Sequence, residues 1–239
     1  MLDQLDIEDV LFLDIETVSA ERKFSDLDAD FQSLWEAKSK FIREREELTV
    51  EDSYERAGIY AEFGKIVCIS VGYFRQVAGH RKFRVTSFYG DDETVVMQEF
   101  ADLLSSHYSD PQHILCGHNA KEFDFPYICR RMLIKGVEIP RTLNIAGKKP
   151  WEVRHLDTME LWKFGDYKHY TSIKLLTKVF GIPTPKDDID GSQVGTTYWE
   201  ENDLDRIEQY CKKDVVAVAQ LMLRYVGKDL LKAEDVVEV

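Results

Sequence analysis

The run Val10-Leu-Phe-Leu-Asp-Ile-Glu16 constrains the fold of this chain more than any other stretch. Its β-branched, aromatic and aliphatic residues read as a strand, and strand side chains alternate between faces. Asp14 and Glu16 therefore share one face, while Leu11, Leu13 and Ile15 share the other and face a core. Two carboxylates side by side on an apolar strand repel each other, and without a cation at least one tends to keep its proton. A divalent metal would remove that conflict. Taken alone, the pair fits a solvent-facing edge strand at least as well.

Beyond this run the patterning alternates between two periods. Further strands are expected at residues 65–74, 82–89, 113–119 and 154–159, and helices at 31–47, 92–108, 125–134, 172–180 and 203–226. Gly136, Gly181 and Gly227 follow the last three helices as terminators. Three strands come first and strands alternate with helices afterwards. That order makes an α/β fold, a mixed central sheet of about five strands flanked by helices. The 239 residues suffice for one large core, and 6 Pro and 13 Gly leave no long flexible linker. A single domain over 1–239 is expected, with 19–60 as an acidic helical insertion and 228–239 as a C-terminal tail.

Cys68, Cys116, Cys129 and Cys211 form no C-x-x-C pair, and Cys116-Gly-His118 is too isolated for a zinc site. Reduced thiols are expected. The acidic start MLDQLDIEDV is unlike a signal peptide, and no apolar run nears the roughly 20 residues of a membrane span. A cytoplasmic protein with no membrane partner follows as an expectation. The net charge of −13 at first argues against a nucleic-acid partner, but its distribution is uneven. Residues 1–60 carry 17 acidic and 7 basic side chains, whereas 121–186 carry 7 acidic and 13 basic. The basic stretch also holds Trp151, Trp162, Phe164, Tyr167 and Tyr170. Such a mixture suits phosphate contacts with base stacking, and equally a solvated surface over core aromatics.

Two more carboxylates stand out. In the last helix Leu204, Ile207, Cys211, Val218, Leu221 and Tyr225 follow a three-four spacing, and Asp214 falls in that series. A carboxylate in an apolar stripe is costly unless paired or metal-bound, and this stripe contains no basic residue. Tyr210 lies one turn earlier, on the same face. The run Asn119-Ala-Lys-Glu-Phe-Asp124-Phe-Pro-Tyr127 puts Asp124 where a helix begins, with Pro126 in the first turn. An N-cap role by itself would account for this Asp.

Together, three segments resemble the exonuclease motifs of the DnaQ-like, or DEDD, superfamily. They are Phe12-Leu-Asp14-Ile-Glu16-Thr17, Asn119-x-x-x-Phe123-Asp124-x-Pro126-Tyr127 and Tyr210-Cys-Lys-Lys-Asp214. The likeness is in particular to the proofreading domains of family B DNA polymerases and to stand-alone exonucleases predicted from them. It spans about residues 10–226 and is weakest over 19–60. Gln209 stands five residues before the last Asp and Tyr210 four before, which is similar to the tyrosine (DEDDy) branch.

The resemblance implies a ribonuclease H-like fold and a 3′-5′ exonuclease that releases 5′-mononucleotides. The implied partner is the 3′ end of DNA, preferably single-stranded, in repair or end trimming. It implies two divalent ions, with Asp14 between both. Glu16 and Asp214 would hold the ion that binds the attacking water, and Asp124 would support the second. Tyr210 would orient the water, and Phe123 and the Thr17 backbone would hold the terminal nucleotide, though Phe123 fits a core aromatic equally; Asn119, the third substrate-binding candidate, would hydrogen-bond the backbone near the site or merely order the turn. Oxygen ligands favour Mg²⁺ or Mn²⁺ over zinc.

The alternatives are an RNA exonuclease similar to ribonuclease D or oligoribonuclease, a non-catalytic nucleic-acid-binding module on the same fold, and the editing subunit of a polymerase. Protein partners stay open. Asp157 is typical of the superfamily at its position and would support the site or cap a turn. The loop of residues 186–193 is similar to one in the stand-alone group and is expected to border the substrate cleft. The 19–60 segment would dock a partner or cover the cleft. Other motifs fail: Gly58-x5-Gly64-Lys65-Ile66 lacks the spacing and hydroxyl of a phosphate loop, and Asp188-Ile-Asp190-Gly191 lacks the flanking ligands of a calcium loop. Tyr89-Gly-Asp-Asp92 reads as a turn into a helix, and His118 as structural.

Overall fold

Strand β1 (Val10–Ser19) lies inside a sheet and is paired on both edges. On one side it runs antiparallel to β2 (Gly64–Val77), which turns through Ala78 and Gly79 into antiparallel β3 (His80–Tyr89). On the other it runs parallel to β4 (Ile114–Gly117), which pairs in parallel with β5 (Leu156–Asp157). A sixth strand, β6 (Val236–Glu238), adds in parallel to β3, giving the order β5-β4-β1-β2-β3-β6. The computed structural model describes residues 2, 5–166, 170–183 and 188–239; Tyr167, Lys186 and Asp187 of the sequence motifs lie outside the described residues.

The mixed sheet flanked by helices is the expected ribonuclease H-like α/β architecture. The sheet has six strands where about five were expected, and the sixth lies within the 228–239 stretch, at Val236–Glu238. Phe83–Val85 receives Val236–Glu238 from across the whole chain, a pairing that no local period announces. Around it Leu231 is buried, its backbone bracketed by the Gln220 amide, and Lys212 reaches Glu238 at 2.9 Å. β4 and β5 are also shorter than 113–119 and 154–159. The chain leaves the ladder after Gly117, and Asn119 takes a left-handed conformation with φ 62°.

The alternation along β1 sorts the core. Leu11, Leu13 and Ile15 pack against α3 (Glu93–His107) and α4 (Asp124–Lys135) through Met97, Phe100, Phe125 and Ile128. Val10 and Phe12 face the other way, against Phe74, Phe83 and the long α8 (Leu204–Tyr225), which follows the short α6 (Ile173–Val179) and α7 (Val194–Thr196), through Val215, Val218 and Met222. Asp14 and Glu16 share the parity of Phe12, so β1 presents both carboxylates towards α8. Asp92 caps α3 by accepting from the Thr94 and Val95 N–H groups, which bears out the turn reading there. Glu93 and Arg131 form a buried two-pronged ion pair at 2.8 and 2.5 Å, and Glu93 also accepts from the Ile66 N–H. That one carboxylate ties α3, α4 and β2 together.

The 19–60 insertion carries α1 (Ala29–Glu46) and α2 (Val50–Ser53). It builds a small aromatic core from Trp35, Tyr54 and Ala57 with Phe63, and Trp35 donates to Ser53 at 3.2 Å. The Tyr54 hydroxyl accepts from the Glu21 N–H, and Tyr127 of α4 donates to the Gly58 carbonyl at 2.7 Å. The segment is thus fastened at the end of β1 where Thr17 sits.

Candidate active site

Asp14 and Glu16 lie opposite Ser70 and Cys68 of β2, and the register shifts between Glu16 and Thr17, which faces Ile66. The extra residue, Val67, makes a bulge, a device that re-aims side chains beside functional sites. From α8, Asp214 approaches the pair. It is close enough to oppose the ionisation of Asp14 and to be the strongest charge acting on Glu16. Tyr210, one helical turn before Asp214, is hydrogen-bonded to it.

Asp124 completes the group from the first turn of α4. The sequence allowed it to be only an N-cap, but Phe123 occupies the cap position and makes no side-chain cap bond. The Asp124 carboxyl is instead buried and meets the Ile15 backbone N–H. The two candidate elements are thus joined directly at β1.

The electrostatics of Asp14, Glu16 and Asp124 follow from burial and from repulsion, to which Asp214 contributes. Burial first, then the Glu16, Asp124 and Asp214 charges, holds the Asp14 carboxyl well above the usual range. Glu16 is raised well above it too, by burial, then Asp214, Cys68 and Asp124. Asp124 is pushed up to about 7 by burial, with Asp157 and Asp214 adding and backbone N–H groups opposing. No Lys or Arg stands among the groups that shift these three carboxyls. Such an arrangement conflicts with itself at neutral pH unless a multivalent cation joins it. Ligand atoms of Asp14, Glu16 and Cys211 all lie within 4.8 Å of one another. Burial raises the Cys211 thiol well above its usual value, so it stays protonated. It donates to the Asp14 carboxylate at 3.5 Å and backbone carbonyl at 3.4 Å. That leaves oxygen donors, a set that fits a hard cation such as Mg²⁺ or Mn²⁺.

Around the carboxylates, Asp157 both caps α5 (Thr158–Lys163) and accepts from the Asn119 and Lys121 N–H groups at 2.9 and 3.0 Å. One side chain thus caps a helix and holds the 119–121 turn. A Cβ on Gly117 would lie 2.5 Å from that of Ala120, so only glycine lets the 119–123 turn close so tightly. Asn119 orders this turn through its carbonyl, which accepts from Glu122 and Phe123, while its side-chain oxygen is buried without a partner among the described residues. His118 is structural, as expected, joining Thr158 and the Thr171 carbonyl. Thr17 is hydrogen-bonded to the Tyr127 hydroxyl, and Phe123 packs on the Tyr127 ring with centroids 5.3 Å apart.

The structure thus brings Asp14, Glu16, Asp124, Tyr210 and Asp214 within electrostatic reach of one another, while Thr17 and Phe123 meet at Tyr127 and Asn119 lies in the turn before α4. It also adds others. Cys211 sits inside the third motif, where its burial was legible but its bond to Asp14 was not. The Tyr170 ring is 70 % exposed, yet burial of its hydroxyl and the nearby Asp124 and Asp157 charges raise its pKa. The aromatics of the basic stretch divide: Trp151, Phe164 and Tyr170 are exposed, while Trp162 is half-buried, packing on Phe180 against a small core cluster.

A family model described as a predicted 3′-5′ exonuclease related to the exonuclease domain of PolB matches residues 59–236. The chain belongs to this family. The span matched in this PolB-related exonuclease includes Asn119, Phe123, Asp124, Tyr210 and Asp214. Asp14, Glu16 and Thr17 precede it, so their membership of the site stands on geometry. No helix among the described residues is long and apolar enough to cross a membrane.

Proposed function

We propose that the chain is a divalent-metal-dependent 3′-5′ exonuclease that removes 5′-mononucleotides from the 3′ end of DNA, preferably single-stranded, in repair or end trimming within the cytoplasm. The convergence of Asp14, Glu16 and Asp124 beside Asp214, with no Lys or Arg among the groups that shift the first three, supports this reading. These four side chains would hold Mg²⁺ or Mn²⁺. A bound ion pair supplies a water of lowered pKa and stabilises the charge that develops on the leaving oxygen.

The chain's own residues do the positioning. Tyr210 is held neutral by burial and by the charges of Asp214, Glu16 and Asp14, so it acts as a hydrogen-bonding group that orients the attacking water and not as a base. Asn119 orders the turn that carries Phe123 and Asp124, its carbonyl accepting from the Glu122 and Phe123 N–H groups. Phe123, half-buried on Tyr127, offers a ring face to its base, and Thr17 its backbone.

The test is to incubate 5′-labelled single- and double-stranded DNA and matched RNA with Mg²⁺, Mn²⁺ or chelator. A ladder shortening one nucleotide at a time on single-stranded DNA, dependent on metal and absent in Asp14→Ala, is expected. Undiminished cleavage by a folded Asp14→Ala protein would refute the mechanism, and faster decay of the RNA would move the substrate to RNA.

A further inference from the structure

A pocket of about 310 Å³ opens beside Tyr210, on the flank of α8. Its volume lies at the low end of small-ligand sites, about 300–1,000 Å³. One wall is the segment that follows residue 187. Asp188 is ion-paired with Arg206 there, and Ile189 is buried against Val18, Val67 and Ile207. The 188–193 part of the loop therefore docks on α8, next to Tyr210. Asp190 and Gln193, by contrast, close a local turn, with Asp190 N–H donating to Gln193 at 2.9 Å.

The charges lining this pocket are unequal in their commitments. Arg206 is engaged by Asp188 and by Glu201 at 2.5 Å, and Asp205 accepts from the Tyr89 hydroxyl at 3.2 Å. Lys213 has no acidic partner among the described residues. Its neighbour Lys212 differs sharply, holding Glu208 at 2.5 Å and Glu238 at 2.9 Å. Asp205 accepts from a neutral hydroxyl and keeps its charge, so the lining sums to zero, and Lys213 is its one cation without an acidic partner among the described residues. Three residues apart on a helix, Lys213 and Tyr210 are surface neighbours. An anion on Lys213 would sit one side-chain width from the carboxylate site.

We propose that this pocket is a phosphate subsite in which Lys213 holds the phosphate of a nucleotide unit. The phosphate is either the next one along the strand being cut or that of the released 5′-mononucleotide. The proposal rests on the exonuclease reading above. A lysine ammonium is a compact point charge suited to either phosphate.

Binding is measured in chelator, so that nothing is cut, with two probes: a short fluorescein-labelled oligothymidylate and thymidine 5′-monophosphate, with thymidine as the phosphate-free control. Lys213→Gln is expected to weaken at least one probe about fivefold, and on the oligomer arm to reduce the salt slope by about 0.7, one phosphate's worth on a single strand. Lys213→Arg should restore binding, and Lys232→Gln, an exposed lysine elsewhere, should change nothing. Loss on the oligomer arm alone assigns the phosphate to the strand, and loss on the mononucleotide arm assigns it to product. Wild-type affinity and salt slope in a folded Lys213→Gln, or no binding of either probe by the wild type, overturns the proposal. A protein that binds through Lys213 but degrades no strand would sink the exonuclease reading and leave this one standing.

Discussion

Asp124 shows how far a single residue can mislead. Its place at a helix start offered a complete local explanation, yet its carboxyl lies buried against the Ile15 N–H and is pushed up to about 7. A folded-state pKa above the unfolded value of about 3.9 means that the folded protein binds more protons between the two. Stability from this group is full below the unfolded pKa and is lost as pH rises through about 7. Asp14 and Glu16, raised in the same direction, add to the loss. Metal-free protein should therefore melt lower at pH 8 than at pH 5, and Asp124→Asn should melt higher than the wild type at pH 8 in chelator. Each kcal/mol recovered should appear as about 2–4 °C in thermal unfolding. An unchanged or lower Tm for the variant would contradict the repulsion. Tyr210→Phe removes a hydroxyl bonded to Asp214 and should cut the cleavage rate about 10- to 100-fold while leaving Mn²⁺ affinity near wild type. Steady-state rates beside Mn²⁺ titration separate the two effects.

At the scale of elements, legibility followed periodicity. The β1 alternation and the α8 stripe each have a strong period, so the amino-acid sequence alone reveals the faces of Asp14, Glu16 and Asp214. Short elements have none. The three-residue β6 exists because a partner far along the chain offers ladder positions, and local sequence carries no trace of that; β5, expected over 154–159, keeps only the two residues that pair with β4. The basic stretch likewise mixed exposed Trp151 with half-buried Trp162, because composition says nothing about which aromatic a helix turns inward. Elements are also joined by bonds that sequence hides, chief among them the Glu93–Arg131 pair between α3 and α4. Glu93→Ala leaves Arg131 buried and unpaired and strips the Ile66 N–H of its acceptor. The expected cost is about 3–5 kcal/mol, read by urea unfolding. A loss below about 1 kcal/mol, that of an exposed pair, would show that water reaches Arg131.

For the molecule as a whole, the acidic 19–60 insertion is fastened to the sheet through Tyr54, Gly58 and Tyr127, and its Trp35 core includes Phe63 at the entry to β2. We expect the insertion and sheet to unfold together, as one domain. Trp35 fluorescence, isolated by replacing the other three tryptophans with Phe, and far-UV circular dichroism should then share one transition; an earlier Trp35 transition would make the insertion a separate unit. The central claim spans the molecule too, because the four carboxylates come from β1, α4 and α8. Titration of the wild type with Mn²⁺, followed by the paramagnetic signal of the free ion, tests it most directly. The wild type should take up two ions, and Asp14→Ala and Asp214→Ala should each lose one or both at unchanged fold. Equal uptake by the wild type and both variants would contradict the account.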